Sequence, residues 1–301
     1  MRPGQALLMG CSETSSRLPN FLIIGAMKAG TTSLYHYLGS HRQVYLPKTK
    51  ELDYFTAELN WGRGLPWYER QFASAPHGLP AIGEASTSYT KYPRFTGVPE
   101  RVANTLPGVR LIYVVRHPIE RMYSHYRHNV TLGEETRSFN EAVLKNRSYT
   151  DYSLYALQVR QYLERFPQEQ LLIITSENLR EARQQTIQTV CEFLGIEKEQ
   201  NLPTLHQEFY TTAARPTYGL VVRSFRRGLK TAFPSRSHLW RGHFLPGIVK
   251  ESLGRRRIPE QAAGQVALSD ATKEQVEELL REDVRRLRNY MADGFDGWGI
   301  A

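Results

Sequence analysis

The sequence predicts an α/β fold: a P-loop-like three-layer domain with a mainly parallel central sheet and helices on both faces. Three observations carry this. Short apolar runs at 21–24, 111–115 and 171–174 have the length and branching of buried strands. Segments of helical period alternate with them, as crossover-connected parallel strands require. The first run passes through a glycine-bounded turn straight into a helix start. With 301 residues, 41% apolar and 23% charged, the chain can bury a full core.

Residues 1–18 are polar and irregular, so a disordered leader is expected, with one domain over 19–301. The Ala6–Met9 run is too short for a signal sequence or a membrane span. Phe21–Ile24 then opens the organising stretch. Gly25 and Gly30 bound a turn holding Lys28 and Ala29, and Thr31, Thr32 and Ser33 begin a helix whose apolar side is Leu34, Tyr35, Tyr37 and Leu38. A strand, a loop and a helix N-terminus make an anion cradle, because free N–H groups and the helix dipole both favour negative charge. The glycine spacing is that of a nucleotide P-loop, but Thr31 stands where that pattern has lysine. The lysine lies inside the loop, at Lys28, which suggests a different anion.

Val44–Leu46 reads as a short strand, followed by a proline turn with Lys48, Lys50 and Glu51. Glu51 is either a surface ion pair or a general base, already ionised at an ordinary pKa of about 4.3. Trp61, Trp67, Tyr68 and Phe72 either line an acceptor cleft or pack the core, with core the default expectation. Residues 81–89 read as a strand ending in polar residues. The carboxyl ends of parallel strands bind ligands in open α/β sheets, which makes Glu84, Ser86 and Tyr89 candidate substrate contacts. A short helix is expected over 99–106.

Leu111–Val115 has a central-strand composition, and Pro118 suits a first helical position. The strand end carries Arg116, a planar donor fork that suits a phosphate, and Ser124 follows two turns into the next helix. A magnesium-using P-loop enzyme would place an aspartate at such a strand end. Two separated anion sites and no evident metal site match a nucleotide phosphorylated at two positions.

These two stretches resemble the sulfotransferase superfamily, whose donor is 3′-phosphoadenosine 5′-phosphosulfate (PAPS). Gly25–Thr32 is similar to its 5′-phosphosulfate loop and Val115–Ser124 to its 3′-phosphate motif. The likeness is closest to the heparan-sulfate-type glycan sulfotransferases and their bacterial relatives. In that branch a glutamate shortly before paired aromatics is the base, and Lys50–Phe55 aligns with it. The branch often has histidine where this chain has Asp53. His41 is a competing base. The resemblance covers roughly 19–215 and returns near Trp298, and it implies a donor contact at Arg215.

The remaining elements fit the same fold. A helix is expected over 152–166, a strand over 170–175, and an amphipathic helix over 183–194 stopping at Gly195. Cys191 reads as core. Residues 223–257 hold ten Lys or Arg and one acid, a net +9 equal to that of the whole chain. With interspersed aromatics this segment suits an anionic acceptor or an anionic membrane surface. Nucleic acid is not expected, because no recognition motif accompanies the charge. A last helix is capped at Ser269 or Asp270, with Val276, Leu279, Leu280, Val284, Leu287 and Met291 inward.

The expected reaction is in-line sulfuryl transfer from PAPS to an acceptor hydroxyl, or less readily an amine, with Glu51 as base and Lys28 on the leaving phosphate. The alternatives are a small-molecule kinase and a membrane-docked nucleotide-binding protein without catalysis. The missing lysine after Gly30 counts against the kinase. The lack of an N-terminal anchor points to a cytoplasmic enzyme, peripheral to the inner membrane face if 223–257 lies on it.

Overall fold

The computed structural model describes residues 17–199, 202–207, 209, 267–291 and 293–301. The leader up to residue 16, Arg215 and the basic segment 223–257 lie outside the described residues. Leu18, assigned to the leader, packs against the core.

Five strands form one sheet: β1 (Phe21–Gly25), β2 (Val44–Tyr45), β3 (Ala81–Ala85), β4 (Arg110–Val115) and β5 (Leu171–Thr175). Their order is β2-β3-β1-β4-β5, with every neighbouring pair parallel. All five residues of β1 are buried, which is why its sequence is an apolar run and not an alternation. The chain places β3 on one flank of β1 and β4 on the other. The crossover direction therefore reverses at β1, and a crevice opens beyond the carboxyl ends of these three strands.

Helices surround the sheet. They are α1 (Thr31–Gly39), α2 (Leu65–Arg70), α3 (Val98–Thr105), α4 (Pro118–Leu132), α5 (Phe139–Lys145), α6 (Ser148–Asp151), α7 (Tyr155–Leu163), α8 (Ser176–Glu181), α9 (Arg183–Leu194) and α10 (Asp270–Arg288). Pro118 occupies the first position of α4, and α9 stops at Gly195 in the left-handed region, φ 67°. Helix α5 opens on a capping box, Ser138 with Glu141. Residues 86–90 do not continue β3: the strand ends at Ala85 and Thr87–Thr90 form a 3₁₀ turn.

Helix α10 seats Val276, Leu280, Val284 and Leu287 inward, capped by Ser269. Leu279 is instead 51% exposed, because it sits roughly a quarter turn off the centre of that stripe. The Asp283 carboxylate of α10 accepts the N–H groups of Ala156 (2.9 Å) and Leu157 (2.8 Å). It caps α7, whose own cap residue, Leu154, has no polar side chain. Tyr68, Phe72 and Cys191 are buried as expected, while Trp61 is among the exposed large side chains. No helix among the described residues is long and apolar enough to cross a membrane.

Candidate active site

The first wall of the crevice is the loop after β1. Gly25 has φ 153°, and a Cβ there would lie 1.9 Å from the Thr90 hydroxyl. The Ala26 N–H reaches across to Val114 O of β4 (2.7 Å), and Ala29 N–H closes the turn onto Ala26 O (3.1 Å). Gly30, φ 100°, is the cap residue of α1 and offers no side-chain cap. The first-turn N–H groups of Thr31, Thr32 and Ser33 have no intrahelical acceptor by geometry, which leaves a cradle suited to a phosphate. The Ser33 hydroxyl itself donates to Phe209 O (3.2 Å), so its contribution to the cradle is its backbone. Lys28 stands in the loop at φ 73°, a strained conformation for a side-chain-bearing residue.

The second wall follows β4. Tyr155 donates its hydroxyl to Arg116 O (2.7 Å), and the Arg116 guanidinium grips one carboxylate oxygen of Glu120 through Nε (3.1 Å) and Nη2 (2.6 Å). Ser124 is buried on the same helix. Trp298 packs its ring against His117 and Tyr155, beside this motif.

Arg121 joins the two walls. It is completely buried, donating from Nε to Ser153 Oγ (2.6 Å) and from Nη2 to Tyr149 O (2.6 Å), with Nη1 3.5 Å from Met27 O in the first loop. Sequence reasoning passed over it, because an arginine on a helix reads as solvated. Its charge, with those of Lys91, His128 and Lys28, reaches His125. Burial first, and these cations next, push that imidazole down to about 2, so it is neutral.

Glu51 follows the other flank. Its N–H donates to Ala85 O (2.9 Å), which places it beyond the end of β3. Glu51 has φ 62°. Its carboxylate pairs with Lys50 and accepts from Thr87 N–H (2.8 Å) and Thr87 Oγ1 (3.0 Å). Burial pushes this carboxyl up, but the Lys50 and Lys91 ammonium groups and the Thr87 N–H outweigh it, leaving it below the ordinary value. Lys91, not singled out from sequence, thus acts on both Glu51 and His125. Lys28 follows β1, Arg116 follows β4, and the Glu51 backbone is held at the end of β3, so the three flank neighbouring strands β3, β1 and β4.

Two expectations need correction. Glu84, Ser86 and Tyr89 are all buried, and Ser86 and Tyr89 both donate to the Glu84 carboxylate, so an internal network stands where substrate contacts were expected. Asp53 is buried too, its carboxylate accepting from Ser88 Oγ (2.5 Å). His41 precedes the start of β2, at the amino-terminal edge of the sheet. Its Nε2 meets Glu197 O (2.9 Å) and its Nδ1 accepts from Gln43 N–H (3.0 Å), so neither nitrogen serves as a base near Lys28.

The sulfotransferase domain family matches residues 18–219. The chain belongs to that family. Human bifunctional heparan sulfate N-deacetylase/N-sulfotransferase 2 is 30% identical over 207 residues, covering 61% of this chain and 23% of that protein. Human bifunctional heparan sulfate N-deacetylase/N-sulfotransferase 3 is 30% identical over 206 residues, with the same coverages. The chain therefore spans about a quarter of the length of these curated relatives. A sulfotransferase from Alicyclobacillus acidocaldarius is 29% identical and superimposes with a TM-score of 0.57, covering 76% of this chain and 98% of that one. Membership bears out the resemblance to the PAPS-dependent sulfotransferases and, with the sheet, the parallel α/β core, and it counts against the kinase. The uncapped α1 N-terminus, Lys28 and Arg116 fit such a donor.

Proposed function

We propose that this sulfotransferase moves the sulfuryl group of PAPS onto a hydroxyl or amine of a glycan, glycolipid or small acceptor, with Glu51 as the general base. The observation that carries this is the backbone. Lys28 and Glu51 both stand at positive φ, beyond the ends of neighbouring strands, and strain of that kind is kept where a side chain must be aimed. Glu51 takes the acceptor proton as the new bond to sulfur forms. Its depressed pKa keeps it ionised at neutral pH, ready to accept. Lys28 and the first-turn N–H groups of α1 stabilise the charge growing on the phosphate oxygen as its bond to sulfur breaks. Arg116 and Ser124 hold the 3′-phosphate. Positioning and electrostatics supply the rate, by analogy with phosphoryl transfer.

The names of the two human relatives favour an amine on a glycan as the first acceptor to try. The test is transfer of labelled sulfate from PAPS to de-N-sulfated heparan, to an O-desulfated glycan and to a simple phenol. Wild type should label at least one of these, and Glu51→Gln and Lys28→Ala should not. Tight binding of adenosine 3′,5′-bisphosphate with no transfer to any acceptor would support the non-catalytic reading instead.

A further inference from the structure

Glu84 lies at the end of β3, 1% exposed, and three hydroxyls converge on its carboxylate. Tyr68 (3.0 Å) and Tyr89 (2.6 Å) donate to Oε1, and Ser86 (2.6 Å) donates to Oε2. Two of these hydroxyls have a second role. Ser86 Oγ accepts the N–H of Asp53 (2.9 Å), and Tyr89 Oη stands 3.4 Å from the N–H of Phe55. Both N–H groups belong to the turn that carries Glu51. A hydroxyl has one proton. While that proton points at Glu84, the lone pairs are left to face the turn.

We propose that Glu84 is a positioning residue: as a carboxylate it orients the Ser86 and Tyr89 hydroxyls so that they hold the 50–55 turn presenting Glu51, and protonation of Glu84 releases that turn. A proton on either oxygen turns an acceptor into a donor. The new O–H proton is left without an acceptor unless one of the three hydroxyls turns to receive it, and if Ser86 turns, its own proton confronts the Asp53 N–H. The ionisable groups facing Glu84 are Tyr35 of α1, Tyr68 of α2, Tyr89, Tyr162 of α7, and Asp53. The tyrosines are all pushed above their ordinary value, burial first, and stay neutral donors. Burial pushes the Glu84 carboxyl up to about 7, against the three hydroxyl bonds that hold it down and with the Asp53 charge adding to the rise. The switch therefore falls near neutral pH. Glu51 itself, shifted down, titrates well below that.

The significance for catalysis rests on the reading of Glu51 as base, but the test does not. Hydrogen exchange of the 50–56 segment, corrected for the intrinsic rate, is followed by mass spectrometry in the unliganded full chain. In wild type its protection should fall several-fold as pH drops through about 7, while the 26–34 segment stays level. Glu84→Gln should show low protection on both sides of that pH. Tyr68→Phe removes one donor from the carboxylate and none from the turn, and its ring still stacks on Tyr54, so the midpoint should move to higher pH. Protection independent of pH in wild type, or a Glu84→Gln turn as protected as wild type, overturns the proposal. Should Glu84→Gln fail to fold, an unmoved midpoint in Tyr68→Phe does the same. Loss of transfer in Glu51→Gln with this transition intact supports both readings. Full transfer in Glu51→Gln with the transition intact removes only the base assignment.

Discussion

On the donor side of the crevice, between β1 and β4, the chain leaves polar groups available. The first turn of α1 has no side-chain cap, and Arg116 pairs with a half-exposed glutamate in the first turn of α4. On the base side, beyond β3, polar groups are turned on one another: Glu84 with Ser86 and Tyr89, Ser86 with the Asp53 N–H, Ser88 with Asp53 and Thr56. The difference follows from what each side must hold. A bisphosphate nucleotide brings its own charge and completes the donor side on binding. A carboxylate base has to be aimed before any ligand arrives, at a backbone conformation the residue resists, so the protein must supply every restraint.

If the two sides are separable in this way, substitutions on them should divide between turnover and nucleotide affinity. Glu51→Gln keeps the shape of the site and removes the proton acceptor. Turnover should fall by about 10²–10⁴ with adenosine 3′,5′-bisphosphate affinity unchanged, measured by single-turnover transfer and by calorimetry. Lys28→Ala should cost about 10²–10³ in turnover, because its charge is needed where negative charge develops. It belongs to the donor side, so nucleotide affinity should weaken as well. Equal affinity losses in the two variants would erase the distinction.

Arg116→Ala tests the donor side alone. A charge-assisted hydrogen bond to phosphate contributes about 1.5–3 kcal/mol, so affinity for the bisphosphate should drop by about 10–100-fold. Affinity for adenosine 5′-monophosphate, which lacks the 3′-group, should change little. A matching loss for the monophosphate would mean that Arg116 acts on the fold and not on the 3′-phosphate.

How much of this was legible in the sequence divides along the same line. The donor side is built from contiguous stretches, 25–33 and 116–124, whose glycines, proline and helix starts are local signals. The helix boundaries at Pro118 and Gly195 were readable for the same reason. The base side is tied to the 50–56 turn by contacts 32 to 36 residues apart, such as Ser86 with Asp53 and Thr87 with Glu51, and no local pattern announces that a polar strand end is buried. Glu84 therefore reads from sequence as a substrate contact. Arg121 and Asp283 escaped for a related reason: their partners, Tyr149 O and the α7 N-terminus, are backbone groups, which carry no side-chain signature. The capping box at Ser138 and Glu141 was present in the sequence and would have located α5.

The smallest effect sharpens the comparison furthest. Glu120 occupies Arg116 before the nucleotide arrives, and burial, which pushes its carboxyl up, is outweighed by that guanidinium, so it is charged across the neutral range. A 3′-phosphate must share or displace this partner. The pair is an exposed i,i+4 contact, worth about 0.3–0.5 kcal/mol, and Glu120 is also a like charge facing the incoming anion. Glu120→Gln should therefore raise affinity for adenosine 3′,5′-bisphosphate by about twofold, and the gain should shrink at high salt as screening removes both contributions. Affinity that falls instead would show that Glu120 orients Arg116 for the phosphate, as Glu84 orients the turn, and the donor side would then be as internally restrained as the base side.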